Sequence, residues 1–163
     1  MARSTGLVLA VVAAACSSAR PPVPMVGQAR DVAALAGDWV GEYSSAESGR
    51  SGSISFTLRA QGDSAVGDVV MIPTGYGQPL VRWRDPAMAP ATRPQSEVLT
   101  INFVRVEGGR VSGTLAPYAD PQTGARLITT FAGDLKGSTI EGTYTTQLSS
   151  GGTQQGRWTV QRK

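Results

Sequence analysis

The chain has 163 residues, enough for one domain with additional segments, and its formal net charge of +3 is too small to indicate a nucleic-acid partner. It contains no histidine and one cysteine, Cys16, which excludes an intrachain disulfide, most zinc sites, and Ser-His or Cys-His catalysis. We therefore predict no metal, no cofactor and no enzymatic activity.

Residues 1–15 have the composition of a secretory signal peptide. Arg3 precedes an unbroken apolar run over residues 7–15, which ends in small residues immediately before Cys16. The run is too short to span a bilayer, because a membrane-spanning helix needs about 20 apolar residues. We therefore predict an exported protein from which this leader is removed.

The surroundings of Cys16 resemble the signal of a bacterial lipoprotein, in which small residues precede a cysteine that becomes lipidated and N-terminal. Ala13 departs from that pattern, which prefers Leu at this position, and an ordinary signal peptide that happens to contain Cys16 is the alternative. Ser17 follows the cysteine. The resemblance therefore implies a protein held by its lipid at the periplasmic side of the outer membrane.

Residues 16–34 form the predicted lipid-anchor cysteine and tether. Pro21, Pro22 and Pro24 favour an extended chain over a helix. Asp31 is suited to cap a short helix over residues 32–35. Two interpretations of this segment stand side by side: a short helix that plugs one end of a barrel, or a coil that continues the tether.

The patterned domain begins at Leu35, and we assign residues 35–163 to it. Trp39, Gly41 and Tyr43 share one parity of an alternating stretch, as expected for a strand with one buried face. Tyr43 and Tyr144, which lies on a later predicted strand with the same parity, are interpreted as core residues rather than ligand contacts.

Three later segments repeat one pattern that is typical of β-hairpins. In each, a Phe precedes a Gly-bearing turn, and an apolar residue two positions before a Gly begins the returning strand. Glycine within a strand permits the bend or close approach that a closed barrel needs. The three sets are Phe56 with Ala65 and Gly67, Phe103 with Val111 and Gly113, and Phe131 with Ile140 and Gly142.

A final strand contains Trp158 and Val160 on one face, with Arg162 at the same parity. Repeated hairpins without a long helical pattern predict an all-β fold, a single antiparallel up-and-down β-barrel of about eight strands. Closure removes the exposed sheet edges, and a barrel of this size is either filled by side chains or holds one small ligand.

The Gly-x-Trp motif at Gly37 and Trp39, together with the Trp and Arg of the last strand, resembles the calycin group of lipocalins and avidins. In lipocalins the tryptophan of this motif closes one end of the barrel, and an arginine from near the last strand lies across it. The resemblance implies that Gly37, Trp39, Trp158 and Arg162 close the barrel, with Arg157 as the alternative to Arg162. No avidin-like set of ligand residues is present, so biotin binding is not implied.

The long connection over residues 72–95 is the main candidate for function, because connections of this length are often functional. One interpretation is a flap over the barrel mouth, with Tyr76 and Trp83 as apolar walls and Arg82 or Arg84 pairing with an anionic group of the ligand. The other places Trp83 on the outside of the barrel with its arginines in solvent. A second loop over residues 116–126 lies at the same end of the barrel or at the opposite one.

Two functions remain open at this point. The first is a lipid-anchored envelope protein that binds a small apolar or amphipathic ligand, with an acidic head group favoured by the basic loop. The second is a structural or interaction lipoprotein that docks an envelope partner and has a barrel filled by Phe56, Phe103, Phe131 and Trp158. We expect a monomer in either case, and an empty interior would favour the first function.

Overall fold

The computed structural model describes residues 25–26, 29–61, 64–88 and 99–163. The predicted signal peptide, Cys16, most of the tether and residues 89–98 of the long connection lie outside these residues. The side chain of Phe103 lies outside them as well. Within the described residues, no helix is long and apolar enough to cross a membrane.

The described residues form ten strands, one α-helix and one short 3₁₀ helix. The α-helix is α1 (Ala29–Leu35), and the 3₁₀ helix covers Pro86–Met88. The strands are β1 (Met25–Val26), β2 (Gly37–Ser44), β3 (Ser51–Gln61), β4 (Ser64–Pro73), β5 (Leu99–Glu107), β6 (Arg110–Leu115), β7 (Tyr118–Ala119), β8 (Arg126–Lys136), β9 (Thr139–Leu148) and β10 (Thr153–Arg162).

Eight of these strands form a closed antiparallel meander. Each of β2, β3, β4, β5, β6, β8, β9 and β10 pairs with the next of them along the chain, and β10 pairs back onto β2. The prediction of an all-β, up-and-down barrel of about eight strands is confirmed. The two short strands are additions, since β1 runs parallel beside β5 and β7 pairs with β8.

The long connection predicted over residues 72–95 begins later in the structure. Strand β4 continues through Pro73, so the long connection begins later than residue 72. Inside that connection, the described residues show one isolated bridge, between Arg82 and Tyr118. The three predicted hairpins correspond to β3–β4, β5–β6 and β8–β9.

The short helix α1 forms and covers one end of the barrel. Val32 and Leu35 are both buried in the core. Asp31 lies inside the first turn of α1 rather than at its cap, because the helix begins at Ala29. The Asp31 carboxylate instead accepts a long hydrogen bond of 3.4 Å from the backbone N–H of Gly108, in the β5–β6 turn at the same end.

Trp39 and Arg162 complete the end of the barrel that α1 covers. Trp39 is fully buried, and its indole N–H donates to the Leu35 carbonyl at 2.9 Å. The Arg162 guanidinium lies 4.5 Å from the centroid of the Trp39 ring and donates to the carbonyls of Ala34 and Ala36. The last strand is thereby tied to the helix that plugs the barrel.

Gly37 is required by this arrangement for two reasons. Its φ of 132° is a conformation that side chains other than glycine rarely adopt. A Cβ at this position would also lie 2.8 Å from the Arg162 guanidinium. The structure thus places Gly37, Trp39 and Arg162 together at the closed end.

Candidate functional site

The barrel encloses a cavity of about 320 Å³ that reaches the surface at the end opposite α1. At that end the exposed loop residues Gly49, Thr74, Tyr76 and Gln122 border it. Small-molecule sites in proteins usually have volumes of about 300–1,000 Å³, so the cavity has room for one small ligand. The side chains of Phe56, Phe131 and Trp158 line the cavity but do not fill it.

Apolar side chains from the inward positions of the strands form most of the cavity wall. Strand residues alternate between the two faces of a sheet, so every second residue of β3, β4 and β8 points inward. Leu35 of α1 forms the floor at the closed end. The apolar lining includes Leu35, Ile54, Phe56, Leu58, Val69, Met71, Leu80, Ile101, Leu115, Phe131 and Trp158.

Trp158 belongs to this cavity lining, on the inner face of the barrel, rather than to the closed end beside Trp39. Its ring packs edge-on against Phe131 with centroids 5.9 Å apart. It lies over Gly142, where a Cβ would be 2.6 Å from the indole nitrogen. The indole N–H is 3.2 Å from the carbonyls of both Ala132 and Thr143. The structure therefore places Trp158 in the cavity wall, and the role that the resemblance implies for it in closing the barrel stays a prediction.

Five hydroxyl groups form a polar region of the wall, which we call the hydroxyl band: Tyr43, Tyr118, Thr129, Tyr144 and Thr146. The band lies toward the open end, because β2 and β9 end there and β8 begins there. The Tyr118 hydroxyl is 2.9 Å from Oγ1 of Thr129, which is 2.7 Å from Oγ1 of Thr146.

Tyr43 and Tyr144 of the hydroxyl band lie in an environment that disfavours negative charge. Burial raises the pKa of the Tyr43 hydroxyl far above its usual value, and the neighbouring Tyr118 and Tyr144 raise it further. Burial also raises the pKa of Tyr144, with a smaller contribution from Tyr118. Both phenols therefore remain protonated hydrogen-bond donors at neutral pH.

An ion pair joins two loops at the rim of the cavity. Arg50 precedes β3, and its guanidinium donates to the carboxylate of Asp120 at 2.7 Å. Asp120 follows β7 and also accepts hydrogen bonds from the backbone N–H groups of Gln122 at 2.8 Å and Thr123 at 3.2 Å. Burial alone would raise the pKa of Asp120, but the hydrogen bonds from Arg50 and from these two amides outweigh it and lower the pKa. We call Arg50 and Asp120 the rim ion pair.

Of the four residues predicted to bind a ligand, one borders the cavity and three do not line it. Tyr76 borders the cavity mouth and is exposed. Arg82, Trp83 and Arg84 are not among the described residues that line the cavity. Among the described residues, Arg50 is the cation that lines the cavity, whereas the sequence suggested Arg82 or Arg84 for this role.

Trp83 packs outside the cavity, between the two long loops. Its backbone N–H donates to the Pro117 carbonyl at 2.9 Å, and the Arg126 guanidinium lies 5.7 Å from its ring centroid. The N–H of Ala119 donates to the carbonyl of Val81 at 3.0 Å. These contacts place the loop over residues 116–126 beside the long connection, at the same end of the barrel.

Sequence reasoning missed much of the polar lining of the cavity. Thr129 carried a usable signal, since it lies at inward parity between Leu127 and Phe131 in an otherwise apolar face. Tyr43 and Tyr144 were interpreted as core, and both line the cavity. Arg50 has no signal in the sequence, because its role depends on a partner 70 positions away.

Across the described ranges, no group of His, Cys, Asp and Glu side chains is arranged to hold a metal ion. No protein-family model matches the chain, and no curated protein matches it. A functional proposal for this chain therefore rests on its sequence and on the geometry of the cavity.

Proposed function

We propose that this chain is an exported, lipid-anchored envelope protein that binds a small apolar or amphipathic ligand inside its barrel. The observation that supports the proposal is the 320 Å³ cavity, which has an apolar wall and reaches solvent at one end. Removal of apolar ligand surface from water provides about 25 cal/mol per Å², so such a wall is a source of affinity. Polar groups near the mouth then orient the ligand.

The anchor in this proposal is the lipid on Cys16, and it is supported by the leader sequence. The location at the periplasmic side of the outer membrane is supported by Ser17 alone. The packing of Arg162 over Trp39 beside Gly37 is consistent with the calycin resemblance, which we retain as part of the proposal. Calycin-type barrels are suited to one small ligand, in keeping with a cavity of this volume.

The alternative function, docking of an envelope partner by a filled barrel, lacks this support. It required an interior occupied by four aromatic side chains, and the three that the structure describes, Phe56, Phe131 and Trp158, border an open volume. It becomes the expected conclusion if the folded protein binds no ligand.

Calorimetric titration with decanol and related single-chain amphiphiles tests the binding function. The protein is the full chain with Cys16→Ser, so that no attached lipid competes for the cavity. We expect saturable binding at one site, and loss of that binding in Ile54→Trp, which fills the cavity from its wall. Val40→Trp is the matched control, because Val40 is exposed on the neighbouring strand β2. Absence of binding to the folded Cys16→Ser chain would overturn the proposal.

The same Cys16→Ser chain tests the anchor. In a Gram-negative host grown with labelled palmitate, we expect label in the unsubstituted chain and none in the variant. Equal labelling of the two would show that Cys16 is not the lipidation site.

A further inference from the structure

Among the described residues, the charge of Arg50 beside the cavity is balanced by Asp120. The side chain of Asp120 is 7% exposed, and its carboxylate accepts a hydrogen bond from the Arg50 guanidinium at 2.7 Å. Two backbone amides of the same loop complete its hydrogen bonding. An anionic ligand head near Arg50 would therefore approach the Asp120 carboxylate as well, and this repulsion offsets the attraction of the guanidinium.

The hydroxyl band, in contrast, has hydrogen-bonding capacity for an uncharged group. Tyr118, Thr129 and Thr146 are buried and joined by two hydrogen bonds. Three hydroxyls supply three donors and six acceptor lone pairs, and two mutual bonds use two of each. Whichever direction the chain of bonds takes, one O–H donor and several lone pairs remain in this part of the wall.

A ligand hydroxyl or ester carbonyl matches that remaining capacity. A carbonyl accepts the one remaining O–H, and a hydroxyl both accepts it and donates to a lone pair. A carboxylate needs several donors and must lose its hydration, which is costly where no cation compensates it fully. The raised pKa values of Tyr43 and Tyr144 indicate the same property, since burial there disfavours negative charge.

We infer that the ligand is a neutral single-chain amphiphile, with its hydroxyl or ester end against Tyr118, Thr129 and Thr146 and its apolar chain toward Trp158 and Leu58. This inference rests on the proposed ligand-binding function, which we call the carrier function. It narrows the expected ligands to alcohols and monoacylglycerols and disfavours fatty-acid anions. It replaces the acidic head group that the basic loop suggested, because Arg82 and Arg84 are not among the described lining residues.

The test compares three probes of equal chain length on the full Cys16→Ser chain at neutral pH: decanol, monodecanoylglycerol and decanoate. By calorimetry we expect both neutral probes to bind at least about tenfold more tightly than decanoate. A difference in affinity of about tenfold is what one unmade hydrogen bond or one unfavourable charge contact produces. Decanoate binding that equals or exceeds that of the neutral probes overturns the inference and leaves the carrier function standing. Absence of binding by all three overturns the carrier function itself.

A second measurement assigns the head group to the hydroxyl band. In the double variant Thr129→Val with Thr146→Val, the shape of the wall is retained and two hydroxyls are lost. We expect about tenfold weaker binding of monodecanoylglycerol and little change for decanoate. Thr143→Val is the matched control, because Thr143 is exposed on the outer face of the same strand as Thr146.

Should the double variant not fold, Tyr118→Phe removes one hydroxyl and leaves the Thr129–Thr146 hydrogen bond intact. Its expected effect has the same direction, weaker binding of the neutral probes at unchanged decanoate affinity. A folded variant that binds monodecanoylglycerol as tightly as the unsubstituted chain would overturn the assignment.

Discussion

Glycines at inward positions of the strands allow aromatic side chains to lie flat against the barrel wall. A Cβ on Gly52 would be 2.7 Å from the hydroxyl of Tyr43, and one on Gly142 would meet Trp158 and the Ala132 carbonyl. The same holds for Gly156 beneath Tyr144. Because these aromatic rings pack against the strands, they leave the centre of the barrel open. The glycines therefore contribute both to the cavity and to closure of the barrel.

Arg162 provides the clearest prediction at the residue scale. Its guanidinium donates to two carbonyls at the end of α1 and lies over Trp39. Loss of charged hydrogen bonds of this kind costs about 1.5–3 kcal/mol, and the cation–π contact adds to it. We therefore expect Arg162→Ala to lower the free energy of unfolding by about 2–4 kcal/mol in urea denaturation.

Arg157→Ala is the control for this measurement. Arg157 lies on the same strand, pairs with Ser44 through the backbone, and has an exposed side chain. A surface substitution of this kind changes stability by within about 0.5 kcal/mol. Equal destabilisation by the two variants would contradict a specific role for Arg162.

At the scale of elements, the two ends of the barrel are built differently. One end is covered by α1, whose Val32 and Leu35 are buried. The other is bordered by loops joined through backbone bonds and the rim ion pair. The loops of the open end are thus joined by hydrogen bonds and an ion pair rather than covered by a helix, an arrangement suited to local opening.

The rim ion pair predicts a specific pH dependence of stability. The pKa of Asp120 is lowered in the folded state, so its contribution is fully present above the unfolded value of about 3.9. It is lost as the pH falls through the folded pKa. Asp120→Asn keeps an oxygen for the backbone amides but loses the charge, and we expect it to cost about 1–3 kcal/mol at neutral pH.

The difference between Asp120→Asn and the unsubstituted chain should therefore shrink as the pH falls below about 3.9. Urea denaturation at a series of pH values measures it. Asp134→Asn is the control, because its pair with Arg110 is long at 3.7 Å and exposed. A constant difference between Asp120→Asn and the unsubstituted chain across this range would mean that the rim ion pair does not stabilise the fold.

At the scale of the whole molecule, the barrel was predictable and the cavity was not. Hairpins depend on alternation and turn glycines within about 20 residues of sequence, which local reasoning can follow. The cavity volume depends on how side chains from all eight strands meet. For example, Trp158 of β10 lies over Gly142 of β9 and packs against Phe131 of β8. The rim ion pair joins residues 70 positions apart, and no local pattern marks it.

The ring of strands also has one weak seam, between β4 and β5. The described residues show two residue pairs there, Asp68 with Thr100 and Val69 with Leu99. On its other edge β4 pairs with β3 from Gly52 and Pro73 to Gln61 and Ser64. Because local opening needs fewer hydrogen bonds to break at the seam, we expect the barrel to open there first.

Amide hydrogen exchange of the folded chain tests this expectation. We expect the amides of β4 and β5 that face the seam to exchange faster than those of β2 and β10, which pair from Arg157 and Ser44 to Arg162 and Trp39. The amides of β4 that face β3 are the internal control, since they share the strand but have continuous partners. If exchange at the seam is as slow as in β2 and β10 after correction for intrinsic rates, the prediction is wrong. The two residue pairs between β4 and β5 would then resist opening as well as a continuous strand pairing does.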